Sequence, residues 1–424
     1  MAQMSQAGDL TSGPMLKKII LFSLPLAASS FLQLLFNAAD VVVVGRFAGS
    51  AALAAVGSNG ALINLLVNLF VGLALGANVV AARCYGAKDD QGVHEAVQTA
   101  VTLSLVGGVL MAFVGFFAAH GLLELMSSPE DVIDLATLYL KIYFIGMPMT
   151  MLYNFNASLL RAVGDTRRPL VCLAVAGVIN VVLNLLFVIV FQMSVAGVAL
   201  ATILSQLASF CMLLLGCARG GNLRIRLKNV CFRRDLFLEI GKGGLPSLCR
   251  QGLASIATIC LNRSAGLYGD AAIAAMSVVS RAMMLAQSAL IGFGQGFQPV
   301  CGFNYGAGLY HRVKEGFRFC VKWSTVFLTA VSVLGLVLAP QIIAVFRNDP
   351  EVIAFGARAL RLQCLAFPLC GVIVNSSMLT QTINKVWQAS VLAVARQGLF
   401  FITTVLALPH IWGELGVQLA QPVS

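Results

Sequence analysis

Residues 51–87 read AALAAVGSNGALINLLVNLFVGLALGANVVAARCYGA, and residues 271–307 read AAIAAMSVVSRAMMLAQSALIGFGQGFQPVCGFNYGA. At a constant offset of 220 residues, Ala51, Ala52, Ala54 and Ala55 return as Ala271, Ala272, Ala274 and Ala275. Gly72 and Gly76 return as Gly292 and Gly296, and Tyr85-Gly86-Ala87 as Tyr305-Gly306-Ala307. Beyond the quoted stretch, Pro148 returns as Pro368. Self-similarity at a fixed offset marks a duplicated chain.

Working outward from that pair, apolar runs follow one another along the whole sequence. The chain is 59% hydrophobic and 11% charged, against roughly 25% charged in soluble domains, and its mean hydropathy is +0.89. A soluble fold is excluded. Runs of about 20 to 28 residues suit helices that cross a hydrocarbon core of roughly 30 Å, not barrel strands. Complete spans are expected near 15–44, 53–82, 96–118, 135–160, 169–191, 196–217, 244–268, 273–303, 320–346, 353–382 and 386–409. A twelfth begins near Gly413 and is expected to be cut short at Ser424, after about a dozen of the roughly 20 residues a span needs.

The expected fold is therefore an all-α integral membrane protein of two pseudo-symmetric six-helix lobes. The segment 1–14 precedes the first lobe at 15–217, a basic connector covers 218–243, and the second lobe runs over 244–424. An even number of spans per copy relates the lobes by an axis along the membrane normal, a plan that suits transport.

Charge sets the orientation. Lys17, Lys18, Arg83, Lys88, Arg161, Arg167, Arg168, Arg312, Lys314, Arg318, Lys322 and Lys385 fall on one side of the predicted topology. The connector's Arg224, Arg226, Lys228, Arg233, Arg234 and Lys242 join them, which makes that side, and the N-terminus, cytoplasmic. Glu124, Glu130, Asp131 and Asp134 fall on the other side. Interleaved with Leu, Val and Phe, the connector's cations suit an anionic leaflet. The net charge of +11 is a topology signal and not a nucleic-acid surface, which needs a basic face on a soluble domain. Cys172, Cys211, Cys260 and Cys370 lie in apolar runs, where a free thiol acts as a small hydrophobe.

Of the seventeen acidic residues, only Asp40 stands well inside an apolar helix, in Phe36-Asn37-Ala38-Ala39-Asp40-Val41-Val42-Val43-Val44. A buried carboxylate must be protonated, paired, or set in a wet cavity, and each of those states makes it a switch. The plainer alternative is an interfacial residue reaching Arg46. Neutral polar side chains at helical spacing accompany it in the first copy: Asn64 with Asn68, Asn180 with Asn184, and Thr202 with Gln206. Amide oxygens ligate hard cations and amide N–H groups bond carboxylates, so one constellation serves sodium or a proton. Such pairs also act as packing glue between helices.

The second copy differs at these positions: Phe400 and Thr404 stand where the first has Asn180 and Asn184. It offers the neutral groups Gln251, Asn262, Gln287, Gln295 and Gln298, with Arg263 and Arg281 expected to snorkel. Pro25 and Pro246 occupy matching places in the first helix of each copy and are hinge or bend candidates. His94, His120, His311 and His410 fall in loops or near span ends, and no zinc-protease, nucleophile-elbow or nucleotide-binding motif occurs. No enzyme activity and no cofactor are expected.

The doubled six-span unit, the run Leu10-Thr11-Ser12-Gly13-Pro14 before Pro25, the segment Asp40 to Arg46, and Ala81-Arg83-Tyr85-Gly86-Ala87 together resemble the multidrug and toxic compound extrusion (MATE) family from about residue 10 onward. The resemblance implies twelve helices in two lobes that exchange sodium or protons for cationic amphipathic compounds. One branch of that family couples through positions matching Asp40, Asn180, Asn184 and Thr202, with an acid where this chain has Asn184. Those four are the expected ion-coupling set, for Na+ or H+. Phe36, Asn37, Asn64, Asn68, Met147, Met283, Met284 and Gln287 are the expected substrate cleft. A monomer in the cell membrane, contacting lipid and no nucleic acid, is expected. A lipid-linked saccharide flippase is the related alternative, and would need cationic cavity residues such as Arg263 and Arg281. An intramembrane enzyme or a structural membrane protein is more remote.

Overall fold

A computed structural model describes residues 13–125, 130–219, 233–346 and 349–423. All elements among them are helical. In order they are α1 (Met15–Val43), α2 (Ser50–Gly86), α3 (Asp90–Leu125), α4 (Glu130–Ile145), α5 (Met147–Ala162), α6 (Arg167–Leu185) and α7 (Ser194–Arg219). The second copy gives α8 (Arg234–Gly266), α9 (Asp270–Gly306), α10 (Tyr310–Phe346), α11 (Pro350–Thr382), α12 (Val386–Val394), α13 (Phe401–Trp412) and α14 (Glu414–Val423). The duplication is visible in the backbone: α2 and α9 are each 37 residues long, at the 220-residue offset of the sequence repeat.

Nine of the described helices are long and apolar enough to cross a membrane, or ten if α4 and α5 count as one span bent by 50°. This is fewer than the eleven spans expected. The missing one is α8, which has ample length at 33 residues but carries Arg234, Asp235, Glu239, Lys242, Arg250 and Arg263 along it. Its first turns occupy part of the expected connector, so α8 starts at Arg234 and not near 244. Residues 220–232, the rest of the connector, lie outside the described residues, as do 1–12. The short α14 follows Gly413, whose φ of 59° lies in the left-handed region that ends a helix. Its ten residues span about 15 Å.

Long apolar side chains face outward, as lipid requires. Val106, Val109, Leu110, Phe113, Val114 and Phe117 of α3 are all half or more exposed and recur every three or four residues. That stripe would be untenable in water.

The chain divides into two compact units; the second change, at Gly244–Leu245, falls within one residue of the expected start of the second lobe, whereas residues 13–24 group with unit 2 and the opening turns of α8 with unit 1. Unit 1 holds 25–244 with 306–308, and unit 2 holds 13–24, 245–305 and 309–424. Each unit thus contains the opening turns of the helix that continues in the other, with the changes at Leu24–Pro25 and Gly244–Leu245. Glycine explains both attachments. In unit 1, a Cβ on Gly76 would lie 2.1 Å from the Ile240 carbonyl oxygen and 2.6 Å from the Gly244 nitrogen. In unit 2, one on Gly296 would lie 2.8 Å from the Ser23 Cα. Only hydrogen in place of Cβ lets the backbones approach so closely, so the repeated Gly76/Gly296 pair does the same packing task in each unit.

Unit 1 has a core in which Ala77, Val80 and Ala81 of α2, Leu152, Phe155 and Leu159 of α5 and Phe210 of α7 are buried together. Unit 2 buries Met276, Val279 and Met283 of α9 with Leu328, Ile343, Leu360 and Phe367 of α10 and α11. Pro148 begins α5 beyond the break at Gly146, whereas its repeat Pro368 sits inside the continuous α11.

Candidate functional site

In unit 1, α1 does not stop at Val43 but runs on through a π-helical turn, Val44–Ala48, and α6 does the same over Leu186–Val190. Such turns displace side chains from the regular register and recur at functional sites. Asp40 lies four residues before the first and Asn184 two before the second. A close contact fixes their alignment: the Phe36 ring fills the place where Gly177 has no side chain. One turn along α1 from Phe36 is Asp40, and two turns along α6 from Gly177 is Asn184.

The two meet. Asn184 Nδ2 donates to Asp40 Oδ1 at 2.5 Å and to Asn180 Oδ1 at 3.2 Å. Asn184 is fully buried and Asn180 nearly so, while Asp40 is half-buried. Asn184 Oδ1 is buried and accepts no hydrogen bond. Asp40 is in none of the ion pairs among the described residues, and Arg46 is exposed on the π-helical turn. Thr202 of α7, the fourth expected member, is half-buried and donates its hydroxyl to the Val198 carbonyl at 3.0 Å.

The oxygens present fit a hard cation: the Asp40 carboxylate, the orphaned Asn184 oxygen, and the Asn180 oxygen with one N–H already on it. Tyr139 of α4 is buried in the same unit and stacks on Tyr143 with ring centroids 6.3 Å apart. The sequence reading missed Gly177, although an isolated glycine in an apolar helix three residues before Asn180 was a signal for close approach. Other asparagines act as glue: Asn59 donates to the Ala136 carbonyl at 2.9 Å and Asn78 to that of Ser158 at 2.6 Å.

The expected substrate-lining residues separate into two groups. Asn37 and Met284 are exposed, and Phe36, Asn68 and Gln287 half-buried. Met147 at 1% and Met283 at 7% exposure are core residues instead. Met147 sits with Met151 on the buried face of α5, and Met283 with Met276 and Val279 on that of α9, because residues four and seven apart share a helix face. Neither lines a cleft here. The side chain of Asn64 lies outside the described residues.

Unit 2 has its own polar core. Gln298 donates to Gln381 Oε1 at 3.2 Å, and Gln381 donates to Ser247 Oγ at 3.0 Å, beside Pro246. Arg263 and Arg281 are exposed, as snorkelling requires. The sequence reading overlooked two further cations, Arg250 of α8 and Arg396 of the π-helical turn between α12 and α13, both half-buried inside apolar runs.

Comparison with known proteins follows this geometry. The MatE family model matches residues 25–186 and 246–406, one match for each copy. The chain is 29% identical over 367 residues to the probable multidrug resistance protein YpnP of Bacillus subtilis (strain 168), covering 87% of this chain and 82% of that protein. It is 21% identical to the multidrug export protein MepA of Staphylococcus saprophyticus subsp. saprophyticus, covering 95% and 89%. Among solved structures, a MATE protein crystallised in a bent conformation superposes with a TM-score of 0.94 at 24% identity, covering 99% of this chain and 94% of that one. At that identity the likeness speaks to the fold.

Proposed function

Because this chain belongs to the MatE family, we propose that it is a secondary active multidrug exporter, exchanging cationic amphipathic compounds for protons or sodium ions. Asp40 is the coupling carboxylate. The observation that carries this reading is the bond from Asn184 to Asp40: an acid on an apolar helix is held by a neutral amide, so its charge is left for a mobile cation.

Deprotonated, Asp40 attracts a cationic compound. Coulomb attraction strengthens as the dielectric falls, so one charge in a partly dry setting binds varied cations without a shape-specific pocket. Arrival of a proton or sodium ion cancels the charge and releases the compound. Asn184 Oδ1, Asn180 Oδ1 and Thr202 Oγ1 supply the neutral oxygens that complete a sodium shell. Phe36, Asn37 and Asn68 are the contacts for substrate that unit 1 offers, and Met284 and Gln287 are the candidates in unit 2. Pro25 and Pro246, one beside each change of unit, serve as hinges. We place the exporter in the cell membrane as a monomer, with the N-terminus in the cytoplasm.

The test is transport of a fluorescent lipophilic cation in proteoliposomes under imposed sodium or pH gradients, comparing the parent with Asp40→Asn. Gradient-driven movement by the parent and none by the variant is the expected result, and the effective gradient identifies the ion. Equal movement by both would remove Asp40 from the mechanism.

A further inference from the structure

Two arginines of unit 2 line one small cavity, with no acid among its described lining residues. They are Arg250 of α8 and Arg396, and they line it together with Ser377 of α11 and the apolar Ile373, Val374 and Leu392. Arg250 Nη2 donates weakly to Ser247 Oγ at 3.4 Å, and Arg396 Nη2 reaches the Cys370 sulfur at 3.1 Å. Arg250 Nη1 and Ser377 Oγ are buried with no partner at all.

Leaving one buried cation unpaired is costly, and setting two like charges together adds repulsion. Ionisable groups within a membrane protein mark ligand paths or sites, and here all the unused groups are donors. The cavity holds about 20 Å³, room for one water-sized occupant, which needs roughly 10–15 Å³. A pyrophosphate or an organic acid is too large to be enclosed there. A single small ion is not.

We propose that Arg250, Arg396 and Ser377 form a binding site for one small monovalent anion of halide size. The anion bridges α8, α11 and the π-helical turn after α12, and its charge offsets the repulsion between the two arginines. The site shares no residue with the ion-coupling set, the substrate contacts or the hinges proposed above, and its three members all belong to unit 2, so its test stands apart from the export reading.

The test is the thermal stability of the purified full chain, titrated with chloride against gluconate at constant ionic strength. The parent melting temperature is expected to rise by a few degrees and saturate, as binding to the folded state alone requires. Arg396→Gln should lose that rise, Ser377→Ala should shift its midpoint to higher chloride, and Arg396→Lys should retain a weakened response. Should Arg396→Gln not fold, the other two variants still locate the effect. Identical melting in chloride and gluconate overturns the proposal, as does a full chloride response in all three variants. Stabilisation by phosphatidylglycerol with no response to chloride also overturns it, in favour of a lipid phosphate at the surface.

Discussion

Asn184 holds Asp40 by an N–H while its own oxygen, sealed from solvent, accepts nothing. One amide therefore steadies the carboxylate and presents a vacant lone pair beside it. Hydrogen bonds to charged groups contribute about 1.5–3 kcal/mol. Asn184→Leu should accordingly cut gradient-driven cation transport by roughly ten- to a hundredfold, with the melting temperature much less affected. Transport rates in proteoliposomes at matched protein content check this. Unchanged rates would show that Asn184 only packs.

The Gly76 contact predicts a stability effect away from the site. A methyl there collides with the Ile240 carbonyl, which as helix backbone has little freedom to yield. Gly76→Ala should lower stability by about 1–3 kcal/mol. Gly57, on the same helix with nothing within 4 Å of its would-be Cβ, is the control: Gly57→Ala should be neutral or slightly stabilising. Paired thermal melts in one detergent decide between them.

Arg83 at the end of α2 pairs with Glu239 on the opening turns of α8, and Arg233 pairs with Glu95 of α3. Both fasten the start of α8 within unit 1. The Arg83–Glu239 pair is only partly exposed, so a double-mutant cycle with Arg83→Gln and Glu239→Gln should return a coupling near 1 kcal/mol that shrinks at high salt. Zero coupling at low salt would leave attachment to the Gly76 contact alone.

Pro25 lacks the N–H that would bond the Leu21 carbonyl, so α1 has a weak point where the chain passes from unit 2 to unit 1. Restoring that bond with Pro25→Ala should stiffen the helix. Slower turnover is expected, with substrate affinity and melting temperature nearly unchanged. Lost affinity with normal turnover would argue for a contact role in place of a hinge.

Much of the fold and of the site is legible in the sequence. The 220-residue repeat announced two related halves, and α2 and α9 answer it residue for residue. Asp40 stood out because its neighbours are Ala and Val, and Asn180 and Asn184 because a spacing of four puts them on one face. What escaped notice was what burial decides. Met147 and Met283 looked like adaptable lining, yet helix phase turns both into the core. Arg250 and Arg396 are 146 positions apart in sequence, and nothing local marks them as neighbours.

The sequence by itself determined the class, the duplication and the coupling candidate, because apolar length, repetition and a lone acid are properties of the chain in one dimension. Tertiary structure alone decided that residues 13–24 group with unit 2 and the opening turns of α8 with unit 1, and that Asn184 turns its amide toward Asp40. It also brought two arginines to one cavity. Each of these depends on which helix faces which, and that is set by backbone approach at glycines such as Gly76, Gly177 and Gly296, which no local pattern of hydrophobicity encodes.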